Sequence, residues 1–206
     1  MLVSVSVLNE YDRLINAVKK VNESNADYLH IDVMDGIFVE NKKFPLEVVR
    51  DVISISKKPL DVHLMVDSID TVKEYALLKP KYLTFHVEIL EGYDIIDYVK
   101  SLGIKVGLAI NPKTDIQKII SYIDDIDLIL FMSVEPGLGG QEFITEVIEK
   151  IKRVKEIAPE DLIISVDGGV NNKTVGLCKY AGCNMVVSGS YITNSDNYNN
   201  KINELK

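Results

Sequence analysis

The chain has 206 residues, 47% of them hydrophobic, so it can bury a sizeable core and is neither disordered nor fibrous in composition. Its net charge of −8 comes without any block of Lys or Arg, which excludes an electrostatic nucleic-acid footprint and means that an anionic ligand must find local donors. Two cysteines, Cys178 and Cys183, fit neither a zinc ribbon nor a C-x-x-C pair and are expected to be small buried hydrophobes in a reducing compartment.

In chain order, the opening MLVSVSVLNE lacks a basic start and alternates apolar with small polar residues, the pattern of a strand rather than a signal peptide. Short β-branched runs lie at about 2–7, 28–34, 60–66, 82–86, 104–110, 127–132, 162–167 and 184–188. The segments between them have helical periodicity and recognisable ends: Lys19 and Lys20 late in the first helix, Pro45 opening the second, Gly103 closing the fourth and Pro159 after the sixth. The Asn-rich TNSDNYNNK near the end reads as a loop before a short last helix. Strands apolar almost throughout, joined by helical crossovers, are parallel and covered on the outside. Eight such units predict one α/β domain over residues 1–206, a (β/α)8 TIM barrel with short loops. An open doubly wound sheet is the alternative, but the G-x-G-x-x-G that marks it is missing after the first strand. No apolar run approaches the roughly 20 residues of a membrane span, and a cytoplasmic protein without a membrane or nucleic-acid partner is expected.

Chemistry in such barrels sits where strands end, and the polar residues here follow that rule. His30 and Asp32 are two apart on a strand and share a side. His63 ends PLDVH, His86 ends YLTFH and Asp167 ends LIISVD, so all three histidines fall on strands, in or near the final turn. Two imidazoles and two carboxylates converging at one barrel mouth suit a divalent cation: zinc, iron, manganese or cobalt. Met34, Met65 and Met132 also stand at strand ends, as core filler or as an apolar collar that excludes water. Glycines follow the last strands in PGLGGQ, DGG and SGS, where barrels commonly cradle phosphate with backbone N–H groups. Asp35, beside Gly36, is expected to shape a turn, His86 to support the site from behind, and Glu88 to be a solvated loop residue.

These stretches resemble the ribulose-phosphate 3-epimerases over nearly the whole chain. The resemblance is carried by SVLN at 6–9, HIDVMDGIFV at 30–39, DVHLMV at 61–66, TFH at 84–86, GLAINPKT at 107–114, MSVEPGLGGQEF at 132–143, VDGG at 166–169 and SGS at 188–190. It implies a (β/α)8 barrel, one divalent cation per chain, and interconversion of D-ribulose 5-phosphate with D-xylulose 5-phosphate by two-base proton transfer at C3 through a cis-enediolate. By position it implies His30, Asp32, His63 and Asp167 as metal ligands, with Asp32 and Asp167 also the acid/base pair. Ser6 and His63 would contact the phosphosugar. Gly137, Leu138, Gly139, Gly140, Asp167, Gly168, Gly169, Gly189 and Ser190 would hold it near its phosphate, and Met34, Met65 and Met132 would line the reacting face. Further copies of the chain are the expected protein partner. The sequence departs from the family pattern at Asn9-Glu10-Tyr11, Glu40, Leu138 and Tyr191, none of them a proposed ligand. An aldolase or decarboxylase on the same barrel would call for a strand-end lysine, which is not evident.

Overall fold

In a computed structural model describing residues 1–206, the eight expected runs form strands β1 (Leu2–Ser6), β2 (Tyr28–Asp35), β3 (Leu60–Met65), β4 (Tyr82–His86), β5 (Lys105–Ile110), β6 (Leu128–Met132), β7 (Ile163–Asp167) and β8 (Met185–Ser188). Each pairs in parallel with the next, and β1 pairs with both β2 and β8, so the sheet closes into a barrel rather than opening as a doubly wound sheet. Helices α1 (Leu14–Asn22), α2 (Leu46–Ile55), α3 (Ile69–Ala76), α4 (Asp94–Ser101), α5 (Gln117–Ile120), α6 (Val147–Lys155), α7 (Val175–Ala181) and α8 (Ser190–Thr193) follow the strands in turn, and α9 (Tyr198–Leu205) ends the chain. None is long and apolar enough to cross a membrane.

Two features differ from the sequence expectation. Lys42–Lys43 forms an extra short strand, antiparallel to Met34–Asp35, where the chain doubles back after β2. The Asn-rich stretch is a loop only from 194 to 197, because the Asn197 side chain accepts a hydrogen bond from the Asn200 amide and caps α9 there. Cys178 and Cys183 are buried and unbridged.

Strand side chains alternate between two environments. Outward residues such as Val3, Val5, Ile31, Val33, Val62, Leu64, Phe85, Leu108 and Val166 join the buried faces of the helices, including Ala17, Val18 and Val21 of α1, in the main core. Each fully buried aliphatic there contributes about 1.5–3 kcal/mol. Inward residues divide by side. On β5 to β8 they are mostly apolar, with Ala109, Leu128, Leu130, Met132, Met185 and Val187 packed together. On β1 to β4 they are mostly polar, with Ser4, Ser6, His30, Asp32, Asp61, His63, Thr84 and His86 all buried beside Met34, Met65 and Tyr82. Gly107 lies at the boundary between the two halves. A Cβ there would fall 2.2 Å from Thr84 Oγ1, so only glycine lets β5 approach β4.

Candidate active site and metal centre

The register of β2 against β3 builds the centre of the polar half: His30 is opposite Asp61 and Asp32 opposite His63. His30 Nε2 is 3.1 Å from Asp32 Oδ1 and 3.8 Å from Asp167 Oδ2; His63 Nδ1 is 3.4 Å and 3.8 Å from the same two oxygens. One donor atom from each of His30, Asp32, His63 and Asp167 lies within 4.8 Å of the others. That set of two imidazoles and two carboxylates has the ligand types and closeness that a divalent transition metal requires.

Around this cluster most of the remaining polar atoms are paired, Thr84 Oγ1 and Ser165 Oγ being the exceptions inside the barrel. Ser6 Oγ donates to Asp32 Oδ2 at 2.7 Å. Asp61 Oδ2 lies 2.7 Å from His30 Nδ1 and accepts from Ser4 Oγ at 2.9 Å. Asp61 was not among the residues expected from the sequence, yet it stands two before His63 and must share its side of the strand. His63 Nε2 lies 3.0 Å from His86 Nε2, and His86 Nδ1 lies 3.1 Å from Glu88 Oε2. Glu88 corrects the sequence reading: it is half-buried, and its Oε1 accepts from the Asn111 amide at 3.0 Å and from Thr114 Oγ1 at 2.6 Å. His30 also differs, lying in the first half of β2 rather than near its end, because the strand continues to Asp35. Asp35 shapes the turn as expected, its Oδ1 accepting from the amides of Ile37 and Phe38.

Environment separates the two site aspartates. Burial favours a neutral Asp32, but the His30 and His63 imidazoles outweigh it and hold the carboxyl far below the usual range. Burial pushes Asp167 up, and repulsion from Asp32 adds to it, bringing Asp167 to about 7. Burial opposes charge on His30, yet the Asp32 and Asp61 carboxylates prevail and raise it well above the usual imidazole value. For His63 burial prevails and the value is lowered. Burial likewise takes His86 down to about 4, against the pull of Glu88. Burial would raise Glu88, but hydrogen bonds from His86, Thr114 and the Asn111 amide take it to about 2.

Above the cluster opens a cavity of about 450 Å³. Ser6, Asp32, Asp167, Met34, Met65 and Met132 line its floor and sides, with the loops at 137–140, 168–173 and 189–191 around the rest. Every expected site residue lines this cavity except His30 and His63, which are fully buried beneath its wall and converge there with Asp32 and Asp167. Leu138 is 63% exposed at the mouth. Gly169 has φ +63°, and a Cβ there would fall 2.7 Å from the Phe143 nitrogen, so this turn closes only on glycine.

A family model described as the ribulose-phosphate 3 epimerase family matches residues 2–193. The chain is 40% identical to a ribulose-phosphate 3-epimerase of Bacillus subtilis, covering 99% of this chain and 97% of the relative. It is 34% identical to one of Methanocaldococcus jannaschii, covering 99% and 89%. Among solved structures, the orotidine 5'-phosphate decarboxylase of Pyrococcus horikoshii superposes with a TM-score of 0.71 at 12% identity, over 99% of both chains. The 3-hexulose-6-phosphate synthase of Salmonella typhimurium does so with 0.70 at 14% identity, over 100% of this chain and 96% of that one. At such identities these two likenesses describe the barrel alone.

Proposed function

The chain belongs to the ribulose-phosphate 3-epimerase family, and from that premise we propose that it interconverts D-ribulose 5-phosphate and D-xylulose 5-phosphate by moving protons at C3 with Asp32 and Asp167. The observation that carries this reading is the opposed environment of two aspartates at the floor of one cavity, Asp32 held ionised and Asp167 raised to about 7. An acid/base pair working near neutral pH needs that division.

Asp32, oriented by the Ser6 hydroxyl, takes the C3 proton from one face of the ketose. Protonated Asp167 gives its proton to the opposite face of the resulting cis-enediolate. The pair ends with the proton on Asp32 and the charge on Asp167, the arrangement needed to run the other epimer backward. Met34, Met65 and Met132 exclude water from the carbanionic carbon. His30, Asp32, His63 and Asp167 would hold the divalent cation; when bound it supplies Lewis-acid stabilisation of charge developing on the substrate's carbonyl oxygen. Glycine-loop amides at 137–140, 168–169 and 189–190 receive the phosphate, which accommodates an anion on an acidic chain that lacks an arginine at this site.

A coupled assay on protein loaded in turn with zinc, iron, manganese and cobalt tests the reading. Turnover of the pentulose phosphate, with a lower kcat/KM for the six-carbon ketose phosphate, is expected. Metal-replete protein inert toward both pentulose epimers would overturn it.

A further inference from the structure

We propose that Glu88, acting through His86, fixes the proton of His63 on Nε2 and so keeps Nδ1 open toward His30, Asp32 and Asp167, which makes Glu88 and His86 positioning residues for a divalent cation. The inference rests on the metal-centre reading above for its purpose, but not for its geometry.

The argument is one of donors and acceptors. The two Nε2 atoms of His63 and His86 face each other at 3.0 Å, so one must donate and the other accept. Which does so is decided at the far end of the His86 ring. An ionised carboxylate can only accept, so Glu88 Oε2, 3.1 Å from His86 Nδ1, requires the proton of a neutral His86 to be on Nδ1. His86 Nε2 is then the acceptor, and His63 must donate through Nε2. Its Nδ1 is left as a bare lone pair 3.4 Å from Asp32 Oδ1 and 3.8 Å from Asp167 Oδ2. Three lone-pair-bearing atoms pointed at one another form a pocket for a positive charge.

The carboxylate that sets this direction is itself held. Its second oxygen is occupied by the Asn111 amide and Thr114 Oγ1, from the loop after β5, and the Phe38 ring packs on His86 with centroids 4.5 Å apart. Asp61 plays the matching part for His30 but at the opposite ring position, occupying Nδ1 and leaving Nε2 inward. The two histidines thus present different nitrogens, and each has a carboxylate behind it: Asp61 directly for His30, Glu88 through a second ring for His63. Such partners orient a metal-binding ring and raise its basicity, and their loss typically costs about 10–100-fold in affinity.

The test begins with nitrogen-15 NMR of the histidine rings in cation-free protein. Wild type should carry the His63 proton on Nε2, and His86→Phe, which keeps a ring but no acceptor, should let it move to Nδ1. The Kd for Co²⁺, measured by competition with a chromophoric chelator, should rise about 10–100-fold in His86→Phe. Glu88→Gln, whose single carbonyl is claimed by the Asn111 amide, turns its NH2 toward His86 Nδ1 and should reverse the relay, moving the His63 proton to Nδ1 and weakening Co²⁺ as well. Thr114→Val, which removes a hydrogen bond from Glu88 without touching His86, should leave the tautomer in place. A wild-type His63 protonated on Nδ1 would overturn the proposal even if every variant failed to fold, as would a His86→Phe protein with unchanged Kd. Wild type with Nε2–H that binds no Co²⁺ overturns the metal-centre reading, and with it the purpose assigned to the two residues.

Discussion

Asp61→Ala should be the most damaging single truncation inside the barrel. The residue is 1% exposed, and one oxygen, Oδ2, serves both His30 Nδ1 at 2.7 Å and Ser4 Oγ at 2.9 Å. Removing it leaves a fully buried imidazole, raised by its carboxylate neighbours, without one of its two counter-charges. Breaking a buried pair from one side costs about 3–5 kcal/mol. At about 2–4 °C per kcal/mol for a chain of this size, the Tm should fall by about 6–20 °C. Asp61→Asn keeps a carbonyl for the Nδ1 proton and loses only the charge, so about 1–2 kcal/mol and a drop of about 2–8 °C are expected. Circular-dichroism melts of cation-free protein measure both. A Tm within about 2 °C of wild type in Asp61→Ala would refute the reasoning, because it would show that His30 does not depend on this carboxylate.

If Asp32 and Asp167 serve opposite faces of the substrate, Asp32→Asn and Asp167→Asn should each abolish epimerisation yet exchange the C3 hydrogen of opposite epimers in D₂O, followed by NMR on protein checked for metal; a metal-replete variant that still epimerises at near wild-type rate would sink the assignment. Gly169→Ala should raise KM through the strained φ and the approach to Phe143, with Co²⁺ content retained, and an unchanged KM would remove the loop from the phosphate cradle. The pH dependence has a definite sign. Asp167 and His30 titrate above their ordinary values, so their contribution to cation-free stability is whole below about pH 4 and about pH 6.5 respectively. It is lost as pH rises through the folded values, about 7 for Asp167. Asp32, held low, contributes oppositely and loses its share only in acid. A cation must displace the His30 proton to bind that ring, so the Tm gain from Co²⁺ should grow from about pH 6 to about pH 8, and a flat or falling gain would count against His30 as a ligand.

The barrel was legible because its strands are buried on both faces, which writes them as unbroken β-branched runs, and the site because its polar residues interrupt those runs at strand ends. What escaped the sequence depends on contacts between distant segments. Glu88 reads as solvated until the loop at 111–114 folds onto it. Asp61 carries no motif of its own to single it out, although the spacing to His63 already placed it on the inward side. Lys42–Lys43 has no β-propensity to announce it and pairs only because the turn after Asp35 returns the chain to β2.

The seam at β1 also governs how this chain can be made. Because β1 pairs with β8 as well as β2, the ring cannot shut until Met185–Ser188 has been synthesised, nearly the whole chain later. Until then β1 and β7 each present an open row of amides and carbonyls, the kind of edge that recruits strands from other molecules. Closure between segments so far apart in sequence is also intrinsically slow. A nascent chain stalled before β8 is therefore an aggregation hazard even though most of its barrel has already been translated.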